Sequence, residues 1–412
     1  MTSGSELALN GGPKTKTTPF GTGKRFGTEE LQQLREALEQ NTLFYWSGRK
    51  VKQFCADFAQ MYDVPHCVAT SSGTASLHVA VAALGIGAGD EVITSPITDM
   101  GSLIGILFQG AIPVFADVDP HTYNMDPTSI EARITPRTRA LMVVHLAGNP
   151  CDMDAIMAIA EKYNLKVIED CAQSYLSIYK GRPAGTIGDV GCFSLNDFKH
   201  ISAGDGGMCI TKDPEIARQL AYYADKHYHR DGSGRDPEWL AANYRMSELV
   251  GAVAIAQLKK VRGICERRNK LGDMLTGLIS DLPGIQPHRI TPGGKSSYWF
   301  YMLRVNEQEL GAARSEFVKA VRAEGIPCSE GYIARPVYCY DVLTKGQVFK
   351  NTRFPLDVPD VPPYGPGMCP TAEEVLATAC RLSINEFYTD QDIKEMAAAI
   401  RKVAVYYASR SK

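Results

Sequence analysis

Between residues 66 and 169 the sequence alternates regularly between short apolar, β-branched runs and longer segments with helical periodicity. The short runs predict strands and the segments between them predict helices, with strands at residues 66–69, 91–95, 113–116, 140–145 and 166–169 and helices at residues 75–84, 100–108, 127–132 and 153–163. Strands separated by helices of about ten residues form βαβ units, whose strands pair in parallel and whose helices cover both faces of the sheet. The sequence therefore predicts an α/β domain with a mostly parallel sheet flanked by helices.

The remaining chain adds a polar, loose beginning and a C-terminal part of different character. A long helical region is expected from residue 214 to residue 268, and a Pro-Gly-rich linker at residues 282–295 follows it. Other patterns predict strands at residues 189–194, 207–211 and 298–305 and helices at residues 29–38, 51–61, 312–324 and 390–407. We expect an N-terminal arm of residues 1–26, a large α/β domain of residues 27–274 and a smaller C-terminal α+β domain of residues 275–412.

Charge and cysteine usage exclude several classes of partner and ligand. Forty-four basic residues stand against 46 acidic ones without a dense basic stretch, so neither nucleic acid nor a membrane is an expected partner. The number of cysteines, eleven, is odd, and no two of them form a CxxC pair. Together these observations argue against a disulfide framework and against a metal cluster. Because the beginning of the chain is polar and lacks an apolar segment, we expect no secretory signal. A cytoplasmic protein that binds small molecules is the indicated class.

The turn after the first predicted strand is rich in small hydroxyl residues, since residues 70–76 read Thr-Ser-Ser-Gly-Thr-Ala-Ser. Small side chains let the backbone approach a ligand closely, and the free amides at a helix start favour an anion such as a phosphate. The same residues are also typical of an ordinary helix N-cap. Taken alone, the turn leaves both interpretations open.

Residues near two later strand ends suggest covalent chemistry when they are taken together. Asp170 and Gln173 follow an apolar run, where the ligand-binding side chains of open α/β sheets collect. Lys199 follows another predicted strand, precedes a Gly-Asp-Gly-Gly turn, and has Ser194 five residues before it as a possible phosphate contact. A lysine that forms a Schiff base and a carboxylate that holds a protonated pyridine nitrogen are the minimum chemistry of a pyridoxal phosphate enzyme. Separately, Asp170 is equally well explained as a helix cap and Lys199 as a surface charge.

Five motifs occur in the order and similar spacing of a known family. They are Val-Ala-Thr-Ser-Ser-Gly-Thr-Ala-Ser-Leu-His at 68–78, Val-His-Leu-Ala-Gly-Asn-Pro-Cys-Asp-Met-Asp at 144–154, Ile-Glu-Asp-Cys-Ala-Gln-Ser at 168–174, the segment 193–207 around Lys199, and Asn-Tyr-Arg-Met-Ser-Glu at 243–248. Over roughly residues 20 to 405 the chain resembles the DegT/DnrJ/EryC1/StrS family of sugar aminotransferases. The five motifs in register are far more specific than any one of them alone.

The resemblance implies the fold type I architecture of aspartate aminotransferase, with pyridoxal 5′-phosphate as cofactor. By position, Lys199 would form the Schiff base and carry protons, and Asp170 would hold the pyridine nitrogen. Gln173 would lie against the cofactor near its O3′ side. Lys199 and Asp170 are thus the expected catalytic residues.

The same resemblance implies a homodimer whose active sites are shared between subunits. Gly73, Thr74 and Ser194 would hold the cofactor phosphate. The segment with Asn243 and Arg245 would reach the phosphate or the substrate from the other subunit. From the residues alone, this segment reads as an ordinary turn at the start of a helix.

The implied reaction moves an amino group from glutamate or glutamine to a keto or aldehyde group of a sugar or cyclitol by a ping-pong mechanism. A nucleotide-linked ketosugar, an inosose and an oxidised octulosonic sugar are all compatible acceptors. A sugar dehydratase is the first alternative, but dehydratases of the family carry histidine where Lys199 stands, although His200 follows it. A non-catalytic nucleotide-binding or regulatory α/β protein is the second, and it would favour a G-x-G-x-x-G turn that residues 70–76 do not form.

Asp99 departs from the family pattern, because it stands where relatives usually present an aromatic residue to stack on the pyridine ring. No stacking residue is therefore assigned. Residues 332–340 and 381–388 are candidate substrate-side elements, since aromatic and amide groups suit a hydroxylated ligand. His145, at a strand end, is interpreted as structural and not as catalytic.

Overall fold

The computed structural model describes residues 6–230, 232, 235–359, 361 and 363–410. Residues 1–5 of the predicted arm and residues 411–412 of the predicted C-terminal domain lie outside the described residues. The helices of the described residues are α1 Thr28–Glu39, α2 Lys50–Tyr62, α3 Gly73–Ala83, α4 Gly101–Phe108, α5 Pro127–Ala132, α6 Met153–Tyr163, α7 Pro214–Ala224, α8 Glu248–Ile279, α9 Glu307–Leu310, α10 Arg314–Ala323, α11 Asp341–Thr344, α12 Pro370–Thr378 and α13 Asp390–Ala408. The strands are β1 His66–Thr70, β2 Glu91–Thr94, β3 Ile112–Phe115, β4 Thr138–Val144, β5 Lys166–Asp170, β6 Ile178–Tyr179, β7 Arg182–Pro183, β8 Val190–Ser194, β9 Gly207–Thr211, β10 Ile285–Pro287, β11 Gly294–Lys295, β12 Tyr301–Val305, β13 Cys328–Glu330 and β14 Ala379–Leu382.

A seven-stranded sheet in the order β1-β9-β8-β5-β4-β2-β3 forms the centre of the molecule. Strand β9 is antiparallel to both of its neighbours, and the other four pairs are parallel. Both faces are covered, so central strands such as β8 are buried at every residue. The predicted α/β fold with a mostly parallel sheet is confirmed.

Local sequence explains where the helices of this domain begin. Ser72, Asp126, Asp152 and Asp213 each cap a helix by accepting a hydrogen bond from a backbone N–H of the first turn. Helices α5 and α7 also carry proline in their first turn, where the missing N–H costs nothing. Of these four caps, the one made by Ser72 begins α3 shortly after the end of β1.

A second sheet, of four antiparallel strands in the order β10-β12-β14-β13, lies in the C-terminal part of the chain. Residues of α8, α10 and α13 share a hydrophobic cluster with it. The 32-residue helix α8 runs through residues 274 and 275, so it spans the predicted domain boundary. That boundary stays a prediction.

The described part of the N-terminal arm is fixed in place, which corrects the expectation of a loose segment. Leu7 is fully buried in the C-terminal hydrophobic cluster. The buried ammonium of Lys16 lies 2.7 Å from carboxylate oxygens of both Asp392 and Glu395 on α13. A paired, buried lysine holds the arm because leaving either charge unpaired would be costly.

The helical region expected from residue 214 to residue 268 consists of two helices, α7 and α8, so the expectation was wrong for the non-helical described residues of the segment 225–247, whereas a helix does begin after the turn at residues 243–248, as expected. Lys226 and His227 have positive φ, and Asp225 pairs with Asn243 in an isolated bridge, so the chain folds back there. Ser247 then caps α8 anew. Strand β12 also begins three residues later than expected, at Tyr301 and not at residue 298. The φ angle of residue 298 is +43°, which is incompatible with an extended strand.

All eleven cysteines are unpaired. Among the described residues, no helix combines the length and the apolar composition that a bilayer crossing requires.

Candidate active site

A cavity of about 750 Å³ lies at the carboxyl ends of β5 and β8 and at the N-terminus of α3. Its lining includes most of the residues that the sequence singled out, namely Gly73, Thr74, Asp170, Gln173, Ser194 and Lys199. Because parallel strands end at one edge of the sheet, residues that are far apart in the chain meet there. Gly73 and Asp170, for example, are 97 positions apart. The volume suits a small-molecule ligand.

Asp170 ends β5 and is buried in the floor of the cavity. One carboxylate oxygen, Oδ2, accepts a hydrogen bond from the Ser102 hydroxyl at 2.7 Å, and Oδ1 accepts one from the Ala172 backbone N–H at 3.1 Å. Burial raises the pKa of Asp170, and these two hydrogen bonds oppose the shift without cancelling it. The carboxylate therefore lacks a positive partner strong enough to offset its desolvation.

Lys199 lies in the loop after β8 and points its amine into the same cavity. Burial lowers the pKa of Lys199 to about 8, although the carboxylates of Asp170 and Asp99 act in the opposite direction. The amine Nζ lies 3.9 Å from the ring centroid of Trp299, a cation–π contact. An amine with such a pKa has a substantial neutral fraction near physiological pH, which nucleophilic attack requires.

This lowered pKa can be tested on the cofactor-free protein by competitive reductive methylation across a pH series, with mass spectrometry of each lysine. We expect labelling of Lys199 to reach half of its maximum near pH 8, because only the neutral amine reacts. The exposed Lys162 is the internal control, since its ion pair with Glu131 raises its pKa above 10.5. If both lysines titrated together above pH 10, Lys199 would not be in the desolvated environment described here.

The backbone around Lys199 is held by donors from distant parts of the chain. The Arg25 guanidinium, in the N-terminal arm, donates to the carbonyl oxygens of Asp197 at 2.5 Å, of Lys199, and of His200 at 2.9 Å. Trp299 Nε1 donates to the Phe198 carbonyl at 2.7 Å. These contacts fix a loop that has no regular secondary structure of its own.

His200, the neighbour of Lys199, is fully buried and does not line the cavity. Its Nε2 donates to the Ser297 carbonyl at 3.0 Å. Burial holds the pKa of His200 well below its usual value, so the imidazole stays neutral. The residue is therefore a structural support of the loop.

The start of α3 approaches β8 so closely that only glycine fits at position 73. A Cβ built on Gly73 would lie 2.6 Å from Cβ of Ser194. Ser72 Oγ accepts from the Ala75 N–H at 3.0 Å, whereas the first amides of any helix have no intrahelical acceptor. Gly73, Thr74 and Ser194 thus form a narrow cradle at a helix N-terminus, a place that favours anions, so the cap and the ligand interpretations of this turn are compatible.

Gln173 is oriented by hydrogen bonds to residues that are distant in the chain. Its Oε1 accepts from the Ala147 N–H at 2.8 Å, and its Nε2 lies 3.4 Å from the Tyr332 hydroxyl. Ala147 has a left-handed backbone, with φ of +58°, which directs its N–H toward the glutamine. The amide donor of Gln173 therefore faces the cavity side.

The structure does not bring Asn243 and Arg245 into this cavity. Arg245 donates through Nε to Asn243 Oδ1 at 2.8 Å and pairs with Asp225 at 3.2 Å. Arg245 borders a separate, mainly apolar hollow that also includes Tyr45 and Trp46. Their role in the site of another subunit stays a prediction.

Two lining residues, Arg268 and Trp299, had no sequence signal. Arg268 belongs to the helix α8, and its guanidinium is bonded to Glu386 at 2.6 Å and 2.8 Å. Nothing in the local pattern of either residue distinguishes it from a core or surface position. The expected substrate-side segments do reach the cavity, with Tyr332 from one and Arg381 from the other.

Asp99 also lines the cavity, and its Oδ1 accepts from the Gly101 N–H at 2.8 Å. The aromatic side chains that line the cavity, Phe198, Trp299, Tyr332 and Tyr388, come from other segments of the chain, so the stacking residue stays unassigned. His145 lies behind the wall. Its Nδ1 accepts from the Cys151 N–H at 3.0 Å and its Nε2 lies 3.0 Å from Glu169, so both ring nitrogens are occupied in the protein interior.

These residues fit pyridoxal phosphate by chemistry. The buried Asp170 needs a cation, which a protonated ring nitrogen provides, and Lys199 presents an amine for a carbonyl. The cradle around Gly73 offers hydroxyls and free amides to a phosphate. Each of these three features is thus matched by one functional group of the cofactor.

Known proteins resemble this chain along most of its length. Residues 24–401 match the DegT/DnrJ/EryC1/StrS aminotransferase family. The spore coat polysaccharide biosynthesis protein SpsC of Bacillus subtilis strain 168 is 38% identical over 339 residues, which cover 80% of this chain and 86% of that protein. A putative L-glutamine:3-amino-2,3-dideoxy-scyllo-inosose aminotransferase of Streptoalloteichus tenebrarius is 37% identical over 334 residues, or 78% and 79% of the two chains. The crystal structure of an aminotransferase from Psychrobacter cryohalolentis superposes with a TM-score of 0.82 at 30% identity, covering 94% of this chain and all of that one.

The fold is that of the fold type I, pyridoxal phosphate-dependent aminotransferases. Within that class, the chain belongs to the DegT/DnrJ/EryC1/StrS aminotransferase family, as its five motifs predicted.

Proposed function

We propose that this aminotransferase binds pyridoxal 5′-phosphate and moves the amino group of glutamate or glutamine to a carbonyl group of a sugar or cyclitol. The observation that carries the proposal is the pairing of Lys199 and Asp170 in one cavity, with pKa values perturbed in the directions that the cofactor would relieve. Perturbed titratable groups that share a cleft are typical of active sites.

In this proposal the cofactor phosphate lies in the cradle of Gly73, Thr74 and Ser194, and the ring nitrogen lies against Asp170. The cofactor supplies an electron-withdrawing ring that stabilises negative charge at the substrate carbon bearing the amino group. Gln173 contributes an amide donor on the cavity side. No aromatic stacking partner is assigned.

Lys199 acts in this scheme as the proton carrier at the substrate carbon. Its pKa of about 8 suits a group that must take up a proton and release it again near neutral pH. Trp299 covers the amine and its N–H fixes the Phe198 carbonyl, so the ring both desolvates Lys199 and limits the movement of its loop.

The nature of the acceptor rests on relatives. One is named for polysaccharide biosynthesis and others for transfer from L-glutamine to a scyllo-inosose. We therefore propose a carbonyl sugar or cyclitol as the acceptor, and nucleotide-linked ketosugars, inososes and oxidised octulosonic sugars remain the candidates. The eleven unpaired cysteines support a reducing compartment, and we place the enzyme in the cytoplasm.

The proposal is tested with purified protein supplied with pyridoxal phosphate. We expect a visible absorbance band that borohydride fixes to the Lys199 peptide. Addition of L-glutamate or L-glutamine should then bleach the band in a half-reaction, and a panel of carbonyl sugars should restore it. A protein that stays colourless with the cofactor, or a band that no amino donor changes, would contradict the proposal.

We also propose that the active unit is a homodimer with shared sites. Trp239 and Leu240, which are adjacent in the chain, are 58% and 95% exposed, and a partner subunit would cover them. Arg245 and Asn243 lie outside their own cavity, where Arg245 pairs with Asp225, and in this proposal they serve the cavity of the partner subunit.

Shared sites predict complementation between two inactive variants, Lys199→Ala and Arg245→Ala. A mixed dimer has one site with both residues intact, so random exchange of subunits should restore about a quarter of the wild-type activity. Each variant alone is the control. A mixture as inactive as its components, although mixed dimers are detected by mass spectrometry, would place Arg245 outside the shared site.

A further inference from the structure

Two histidines and a glutamate come together in the segment between α7 and α8. His227, His229 and Glu238 each offer one ligand atom, and these atoms all lie within 4.8 Å of one another. None of the three lines the cavity around Lys199 or the hollow beside Arg245. The cysteine spacing argued against a metal cluster, but this group consists of imidazole and carboxylate donors. The proposed amino transfer gives it no role.

His227 is buried, and its two ring nitrogens are not satisfied by the protein. Its exposed fraction is 1%, and among the described residues neither Nδ1 nor Nε2 has a hydrogen-bond partner. A neutral imidazole carries one N–H donor and one acceptor nitrogen, so both polar groups lose their hydration without compensation. Buried polar groups without partners are rare in native proteins, and an ion at the site is one physical explanation of them.

The backbone and two tyrosines hold the His227 ring in place. Its backbone N–H donates to the Tyr222 carbonyl at 2.7 Å, and its φ of +55° turns the chain away from α7. The ring centroids of Tyr222 and Tyr223 lie 5.3 Å and 5.0 Å from that of His227, and Tyr222 also stacks on His229 at 4.3 Å. A contact between an N–H and a tyrosine ring is weak and satisfies only one of the two nitrogens. Aromatic packing therefore does not account for this histidine.

Two imidazoles and a carboxylate are donors that suit zinc and similar divalent ions. Ligand atoms bonded to such an ion at about 2.0–2.2 Å lie about 3.4 Å apart in a tetrahedron. Because the donors here are up to 4.8 Å apart, the group has to contract around an ion, and the exposed side chain of Glu238 can rotate to do so. The nearby Arg218 is already paired with Glu215 at 2.6 Å.

We propose that His227, His229 and Glu238 bind one divalent transition-metal ion of the zinc class, with water in the fourth position. The ion joins the end of α7 to a residue nine positions after His229, and so closes a loop of the segment before α8. Trp239 and Leu240 follow Glu238 directly, so the ion also fixes the two exposed apolar side chains that a partner subunit would cover. The metal site itself does not depend on the proposed reaction.

The test is Zn²⁺ binding by the purified chain without an affinity tag, after a chelator has been added and removed. We expect calorimetry and elemental analysis to give one Zn²⁺ per chain. Glu238→Gln should weaken Zn²⁺ binding on the order of a hundredfold, because replacing even a residue behind a metal ligand costs about tenfold to a hundredfold. His121→Gln is the matched control, since His121 is exposed and belongs to no such group among the described residues.

X-ray absorption by the zinc-loaded protein identifies the donor atoms. We expect nitrogen and oxygen neighbours at about 2.0–2.2 Å from the ion. The chain also has eleven unpaired cysteines, which are the competing ligands. Zinc bound by sulfur at about 2.3 Å would place the ion on these thiols and would overturn the inference.

Thermal unfolding provides a second measurement. Zn²⁺ should raise the unfolding temperature of the wild type and of His121→Gln but not that of Glu238→Gln, because an ion that binds the folded state stabilises it. Since His227 is buried and its replacement can unfold the protein, His229→Gln serves as the second variant and should lose zinc like Glu238→Gln. A wild type that retains no zinc, or two variants that bind it as tightly as the wild type, would leave the group without a metal and the proposed amino transfer unaffected.

Discussion

Replacing Lys199 by alanine should abolish amino transfer and leave the protein folded. The side chain supplies the amine that attaches to the cofactor and the group that moves the substrate proton, and general acid–base catalysis alone contributes about 10²- to 10⁴-fold. Because both functions are lost together, we expect a decrease on the order of 10⁴-fold or more. The measurement is the rate at which L-glutamate is converted to 2-oxoglutarate in the presence of an active carbonyl acceptor.

The stability of the folded protein should be unchanged or increased. The lowered pKa of Lys199 means that burial of its charged ammonium destabilises the folded state, and alanine removes that cost. The contacts that fix its loop involve backbone carbonyls, which alanine retains. Lys180→Ala is the matched control, since Lys180 is exposed and pairs only with Asp154. Wild-type turnover in Lys199→Ala would remove Lys199 from the reaction.

The sequence predicted the parallel sheet and the residues at its edge because both depend on local rules. Apolar runs of four to seven residues identify the strands. Ligands of open α/β sheets bind at the carboxyl ends of the strands, so a carboxylate at such an end, as in Asp170, is a candidate binding residue. The small side chains around Gly73 predicted that this turn belongs to a ligand site. The structure shows why glycine is needed there, because the backbone at position 73 approaches Ser194 closely.

Residues brought in from the C-terminal part could not be predicted in the same way. Trp299 contacts Lys199 although the two residues are 100 positions apart in the chain. The position of the Trp299 side chain depends on how one sheet packs against the other. Arg25 lies in an arm whose composition reads as loose, yet it donates to three carbonyls of the Lys199 loop. Of the break between α7 and α8 only the end, the turn at residues 243–248, was predicted, because Lys226 and His227 carry no turn signal, although both adopt positive φ. Such features follow from tertiary contacts and not from local propensity.

Asp170→Asn should separate stability from catalysis, because the two effects have opposite signs. Asparagine has nearly the same shape and can keep both polar contacts. Its Oδ1 accepts from the Ala172 N–H, and its amide can donate to the Ser102 hydroxyl, which in turn can donate to Thr98 at 2.7 Å. The variant should therefore fold and bind the cofactor phosphate in the same cradle.

Catalysis should nevertheless fall on the order of 10³-fold, as when a preorganised charge is removed from an active site. A neutral amide cannot keep the ring nitrogen of the cofactor protonated, and the ring then withdraws electrons less strongly from the substrate carbon. The rate of the L-glutamate half-reaction, followed by absorbance in a stopped-flow instrument, measures this loss. A half-reaction as fast as that of the wild type would exclude Asp170 from the proposed role.

The cofactor-free variant should, in contrast, be at least as stable as the wild type at neutral pH. Burial raises the pKa of Asp170 above 3.8, so over the interval between 3.8 and the raised value the folded state binds a proton that the unfolded state has released. Stability of the wild type therefore falls as the pH rises through that interval, and the cost persists above it, whereas asparagine has no such cost.

Urea unfolding of both proteins from pH 4 to pH 8 should show the difference growing with pH and then levelling off. Asp154→Asn is the control of opposite sign, since Lys180 lowers the pKa of the exposed Asp154 and its removal should give no gain in stability. A cofactor-free Asp170→Asn protein that is less stable than the wild type at pH 8 would mean that the carboxylate is already compensated within the protein, and that it has no need of a cationic ligand.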